Sequence, residues 1–199
     1  RAFEVRVADN PIESPVDCFR TTGIGAAAEA AGATVILPHE RYIKTAHTPG
    51  AGLLENWPVF ARPFEGVHKV IGIGPVKSHH LCDASIGIKN WVGMLAGTRN
   101  QFHDRIHEFI SDVALVVRPT LTIVDGTRVL ARNGPTGGDL ANIDPGNLVL
   151  AGLDPVATDA YAYRHCLNRE GDLPQYLHLA QQKGIGELDF TIRTHETVI

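Results

Sequence analysis

Apolar residues along the chain recur with two periods. Phe3–Val7 (FEVRV), Thr34–Leu37, Lys69–Ile73 (KVIGI), Leu121–Val124 (LTIV), Leu148–Ala151 and Phe190–Arg193 are short β-rich runs that predict strands. Between them the spacing turns helical. Gly23–Ala31 follows Thr22 as a cap and stops at Gly32. Gln101–Val117 sets Phe102, Ile106, Phe109, Ile110, Val113 and Val117 on one stripe, and Pro119 ends it. Asp154 and Pro155 supply an N-cap and a first-turn proline for Val156–Cys166, while Gly184 closes a helix over Leu173–Lys183. His39–Glu65 is rich in Pro and Gly with little periodicity, which predicts a long loop.

Strands separated by helices predict an α/β fold: a mainly parallel sheet with helices on both faces, in three layers. The strands at Thr34, Lys69, Leu121 and Leu148 are expected in that one sheet. KVIGI and the other continuous apolar runs fit strands covered on both sides. Ligands of such sheets bind beyond the carboxyl ends of the strands. The 199 residues fit a single α/β domain spanning 1–199.

Composition narrows the function classes. The net charge of −4 gives no basic footprint for nucleic acid, and no apolar run is long enough to span a bilayer. Cys18, Cys82 and Cys166 lie far apart without a CxxC, so the chain has no iron–sulfur motif. Ten histidines are many for this length, and those at 79, 80, 103 and 107 fall in or just after one segment.

That segment, KSHHLCDASIGIKNWVGMLAGTRNQFH, follows the third strand. Imidazoles ligate transition metals or move protons near neutral pH, so His79 and His103 are candidate metal ligands or acid/base groups. A lysine in a dry pocket can act as nucleophile or hold an anion, which singles out Lys89. Lys77 and Arg99 add charge suited to a carboxylate or phosphate. Adjacent side chains on an extended strand point apart, so His79 rather than His80 is expected to face inward. Asp125, read as closing its strand, is the candidate orienting carboxylate, with Asp159 a second. A solvated helix face accounts for His107, a turn for NGPTGGD, and core or pocket wall for Trp91.

The run GPVKSHHLCDASIGIKNWVGML, then TRNQFH, RPTLTIVDGTRVLARNGPTGG, LVLAGLDPVATDAYAY and AQQKGIGELD resembles the bacterial and archaeal domain of unknown function 362. The resemblance implies a further N-terminal α/β portion, making this chain the C-terminal two-thirds of such a protein. Many relatives carry ferredoxin-type cysteines, which this chain lacks; others resemble proteins exported to the periplasm by twin-arginine signals, and this sequence is closer to those. The order histidine, lysine ten residues on, histidine one helix later is also similar to nickel-pincer lactate racemases, where the lysine carries the cofactor. The resulting expectation is a His/Lys cleft for a small anionic substrate or cofactor, with a transition metal a candidate component. The alternative is a non-catalytic accessory subunit of a redox or cofactor-assembly complex, completed by a partner chain.

Overall fold

The structure is a computed structural model and describes residues 3–191. The expected strand Phe190–Arg193 runs into residues outside that range. Where one domain is expected, contacts divide the chain into two compact units. The first comprises residues 1–47, 56–68 and 92–99; the second comprises 48–55, 69–91 and 100–199.

In the first unit, β1 (Arg6–Ala8) is followed by α1 (Pro15–Thr21), α2 (Ile24–Ala30) and β2 (Thr34–Ile36). β1 and β2 pair in parallel as a two-stranded sheet of their own, so the strand at Thr34 does not join the main sheet. The region expected to be a loop holds β3 (Ile43–His47) and β4 (Asn56–Phe60), an antiparallel pair. Proline disguised β4: Pro58 cannot donate to a ladder, but its backbone faces away from β3, where its carbonyl accepts from the Ala96 amide at 2.9 Å.

In the second unit, β5 (Ile71–His79), β6 (Asp83–Ser85), α3 (Gly87–Asn90), α4 (Ile106–Val116), β7 (Leu121–Leu130), β8 (Ile143–Gly152), α5 (Pro155–His165) and α6 (Gln175–Gln182) follow in order. The sheet runs β6-β5-β7-β8, and only β5 and β7 are parallel. The α/β class stands; the mainly parallel sheet is corrected to a mixed one. The cause is local. α4 supplies the crossover from β5 to β7, whereas β7 and β8 are joined by 12 residues with one 3₁₀ turn, Leu140–Asn142, and so fold back as a hairpin.

The second correction concerns the faces. Exposure alternates along β5, with Ile71 53% and Ile73 65% exposed and Gly72, Gly74 and Val76 buried. A Cβ on Gly72 would lie 2.7 Å from the Trp91 ring, and one on Gly74 3.1 Å from the Asn90 side chain. The helical layer therefore packs on the glycine side of KVIGI, and the isoleucine side is left uncovered with Val149, 60% exposed. The run looks two-sided in sequence because its buried positions carry no side chain.

Loop and helix ends are tied by two buried or half-buried aspartates. Asp112, buried in α4, accepts from the Leu53 amide at 2.7 Å and pairs with Lys183. Asp154 caps α5 as the sequence predicts: Oδ1 accepts from the amides of Val156 (2.9 Å) and Ala157 (3.0 Å), and Oδ2 from that of Glu187 (2.9 Å). Replacing Asp154 by alanine strips all three bonds. Urea unfolding of Asp154→Ala should show a loss of about 1–2 kcal/mol; a change below about 0.3 kcal/mol would mean the cap contributes nothing beyond solvent.

Candidate functional site at the end of β5

The histidine-rich segment is a strand, a tight turn, a return strand and a helical turn. β5 runs to His79, the chain reverses through His80–Cys82, and β6 returns antiparallel with His79 opposite Asp83 and Lys77 opposite Ser85. Because β5 ends at His79, the two histidines do not splay apart. Their rings stack at 5.2 Å with a 10° interplanar angle. His79 is the inward one, 8% exposed, and His80 is exposed.

The NGPTGGD segment also meets this turn. The Gly134 amide donates to Ser78 Oγ at 3.1 Å, and the Gly134 carbonyl lies 3.3 Å from His80 Nδ1. A Cβ on Gly134 would sit 2.0 Å from the Ser78 carbonyl oxygen, so only glycine allows this approach. The turn read from the sequence is thus a wall of the site.

α3 brings Lys89 in, and its anchor is Asp159. This carboxylate, fully buried on α5, accepts from the Gly87 amide with Oδ1 (2.9 Å) and from the Ile88 amide with Oδ2 (3.0 Å). The two amides are orphan donors of the first helical turn, so one side chain satisfies both and fixes the helix direction. Gly87 is sterically required: a Cβ there would lie 2.7 Å from Thr122 Cγ2 and 2.8 Å from Asp159 Oδ1.

Burial pushes the Asp159 carboxyl up to about 7, against the pull of the Ile88 and Gly87 amides and of the Tyr176 hydroxyl. Tyr176 is buried in α6, and its hydroxyl, near enough to favour the carboxylate, falls short of regular hydrogen-bond geometry. The sequence offered no signal for Tyr176. Asp159 could be singled out as the one charge inside VATDAYAY, but not with this partner.

Electrostatics draw the remaining groups together. His79 is driven down from 6.5 to about 4, first by burial and then by Lys89, His80, His103 and Lys77. Its Nδ1 accepts from the Leu81 amide at 3.2 Å, so the neutral ring carries its proton on Nε2. Burial also lowers Lys89, opposed by Cys82 and reinforced by Lys77. The buried Cys82 thiol is pushed up to about 12 by desolvation, with Lys89 opposing, and contacts the Ala84 carbonyl at 3.4 Å.

Of the expected residues, Lys89, His103 and Lys77 are among the groups that lower His79, His103 from an exposed position. Two have partners of their own. Asp125 does not close its strand, because β7 continues past a bulge at Gly126–Arg128 to Leu130. Its exposed side chain accepts from Thr127 N (2.9 Å) and Oγ1 (2.6 Å), which hold its pKa below the usual range. Arg99 belongs to the first unit and donates to the carbonyls of Asn10 and Val92, both at 3.1 Å.

Among the described residues no three His, Cys, Asp or Glu side chains converge to hold a metal. A cavity of about 90 Å³ lined by Ile88, Trp91, Val117, Arg118 and Leu153 lies near the start of β7, away from His79.

Family membership follows from a match to the model for the domain of unknown function (DUF362) over residues 1–164. The chain belongs to the DUF362 family. Neither curated proteins nor solved structures gave a match. The matched span of this DUF362 protein contains β5, α3 and Asp159, and stops before α6. Among the described residues no helix is long and apolar enough to cross a membrane.

The two buried titrations have opposite signs. Asp159, raised when folded, contributes stability at low pH that is lost as pH rises from about 4 to about 7. His79, lowered when folded, contributes stability above 6.5 that is lost as pH falls towards about 4. Asp159→Asn removes the first effect only. Between pH 4 and 7 the variant's unfolding free energy should therefore rise more steeply with pH than the parent's, whatever its absolute loss. Parallel curves would show that Asp159 ionises alike in both states.

Proposed function

We propose that this DUF362 protein binds a small anionic substrate or cofactor at the end of β5, with Lys89 and Lys77 as cations and His79 as a neutral donor. The observation carrying this reading is the turn from β5 into β6, which buries His79 with Nδ1 taken by the Leu81 amide, while Lys89 and Lys77 add to burial in lowering its pKa. Burial, the largest cause, favours no charge of either sign; the share due to Lys89 and Lys77 is the part that also attracts an anion. His79 serves as a donor through Nε2, since Nδ1 is taken by the Leu81 amide. Acid/base work would fall to His103, which is exposed to solvent.

A second reading, an accessory subunit, draws on the uncovered face of the β5–β7–β8 sheet with Ile71, Ile73 and Val149. It is compatible with an anion site and names no ligand.

An NMR titration of the His79 ring with and without oxalate tests the anion-binding reading. Bound oxalate should raise the His79 pKa, as a negative charge offsets the surrounding cations. Lys89→Ala should also raise it and should weaken oxalate binding about tenfold or more. A His79 pKa indifferent to both oxalate and Lys89 would remove the anion-binding reading.

A further inference from the structure

The cavity near the start of β7 lies at the other end of the sheet from His79 and has an apolar floor with a charge at its mouth. Ile88, Ala114 and Val117 form the floor and are 1%, 4% and 6% exposed. Trp91 adds to the wall, and Leu153, 78% exposed, stands at the rim with the exposed Arg118.

Hydrogen bonds on either side hold this shape. The Ile88 amide donates to Asp159 at 3.0 Å, which fixes the floor. Asp154, between the lining residues Leu153 and Pro155, accepts from the Glu187 amide at 2.9 Å and so ties their segment to the one that carries Ile185. Gly186 permits the approach, since a Cβ there would lie 2.0 Å from Asp154 Oδ1. Walls set before a ligand arrives lower the ordering cost of binding.

Size and charge narrow the occupant. A volume of about 90 Å³ is room for about three waters or a branched group of about four carbons. The buried floor carries no polar side chain, so it favours hydrocarbon over water. Among the described residues, Arg118 is the one charged residue of the lining, and its guanidinium makes no ion pair or hydrogen bond with them. It follows Val117, the C-cap of α4, and is held at the mouth by the chain that forms the floor. An open guanidinium beside an apolar cavity suits a carboxylate whose hydrocarbon part enters the cavity.

We propose that this cavity binds a small amphipathic monocarboxylate, with a branched group of about four carbons against Ile88, Ala114 and Val117 and the carboxylate on Arg118. The site is independent of the one at the end of β5 and uses none of Lys77, His79 and Lys89.

The probes are isovalerate, which has both parts, acetate, which keeps the charge, and isoamyl alcohol, which keeps the hydrocarbon. Each is titrated into the full chain while amide and indole NMR signals are followed. Isovalerate should shift the amides of Ile88, Val117 and Arg118 and the Trp91 indole N–H in one saturable process. Acetate and isoamyl alcohol should each bind at least about tenfold more weakly, because each loses one of the two contacts. Arg118→Gln, an exposed substitution outside the core, should weaken isovalerate about tenfold and leave isoamyl alcohol unchanged. Oxalate has no hydrocarbon part and should leave these signals unmoved, so the two sites stand or fail separately. Absence of saturable shifts at these residues, or equal isovalerate affinity in parent and Arg118→Gln, would overturn the proposal. Isoamyl alcohol binding as tightly as isovalerate would overturn it as well, by showing a cavity with no preference for an anion.

Discussion

The grip of Asp159 on the amides of Gly87 and Ile88 is the interaction on which the site depends. α3 is four residues long, too short to be stable by its own hydrogen bonds. It exists where it does because a buried carboxylate from α5 satisfies its first two donors and because Gly87 lets Thr122 and Asp159 close in. Lys89 follows one residue after the gripped pair, so its approach to Lys77, Cys82 and His79 is set from beneath. The charge itself is unfavourable there: burial raises Asp159 and the amides offset only part of that, leaving it at about 7.

A second constraint shapes the sheet. β5 presents glycine at two buried positions, and the space they leave is filled by Trp91 and Asn90, which continue from α3. The same alternation puts Ile71 and Ile73 on the outer face. Close packing of α3 and an uncovered apolar surface are two consequences of one pattern. The site's polarity also depends on position along β5, whose apolar first half gives way to Lys77, Ser78 and His79 at the carboxyl end.

Much of this was legible in the sequence. The cap at Asp154, the stripe of α4 and the strand at LTIV follow from residue types and spacing. What was hidden depends on partners distant in sequence. Asp125-Gly126 looks like a strand end, but it sits at a bulge in a strand that continues because β8 pairs with it. β3 and β4 lie in a proline-rich stretch whose periodicity is too short to read. The pairing of Asp159 with residues 72 and 71 positions away carries no local signature. Tyr176, beside it, reads as one more apolar position of α6.

The most direct measurement of the central claim is amide hydrogen exchange at Gly87 and Ile88, followed by NMR in the parent and in Asp159→Asn. If the buried carboxylate holds α3, both amides are protected in the parent to the level of the β5–β7 core. In the variant they should exchange at least about tenfold faster while the core amides keep their rates relative to global stability. Fast exchange of these two amides in the parent, or equal protection in both proteins, would contradict the account.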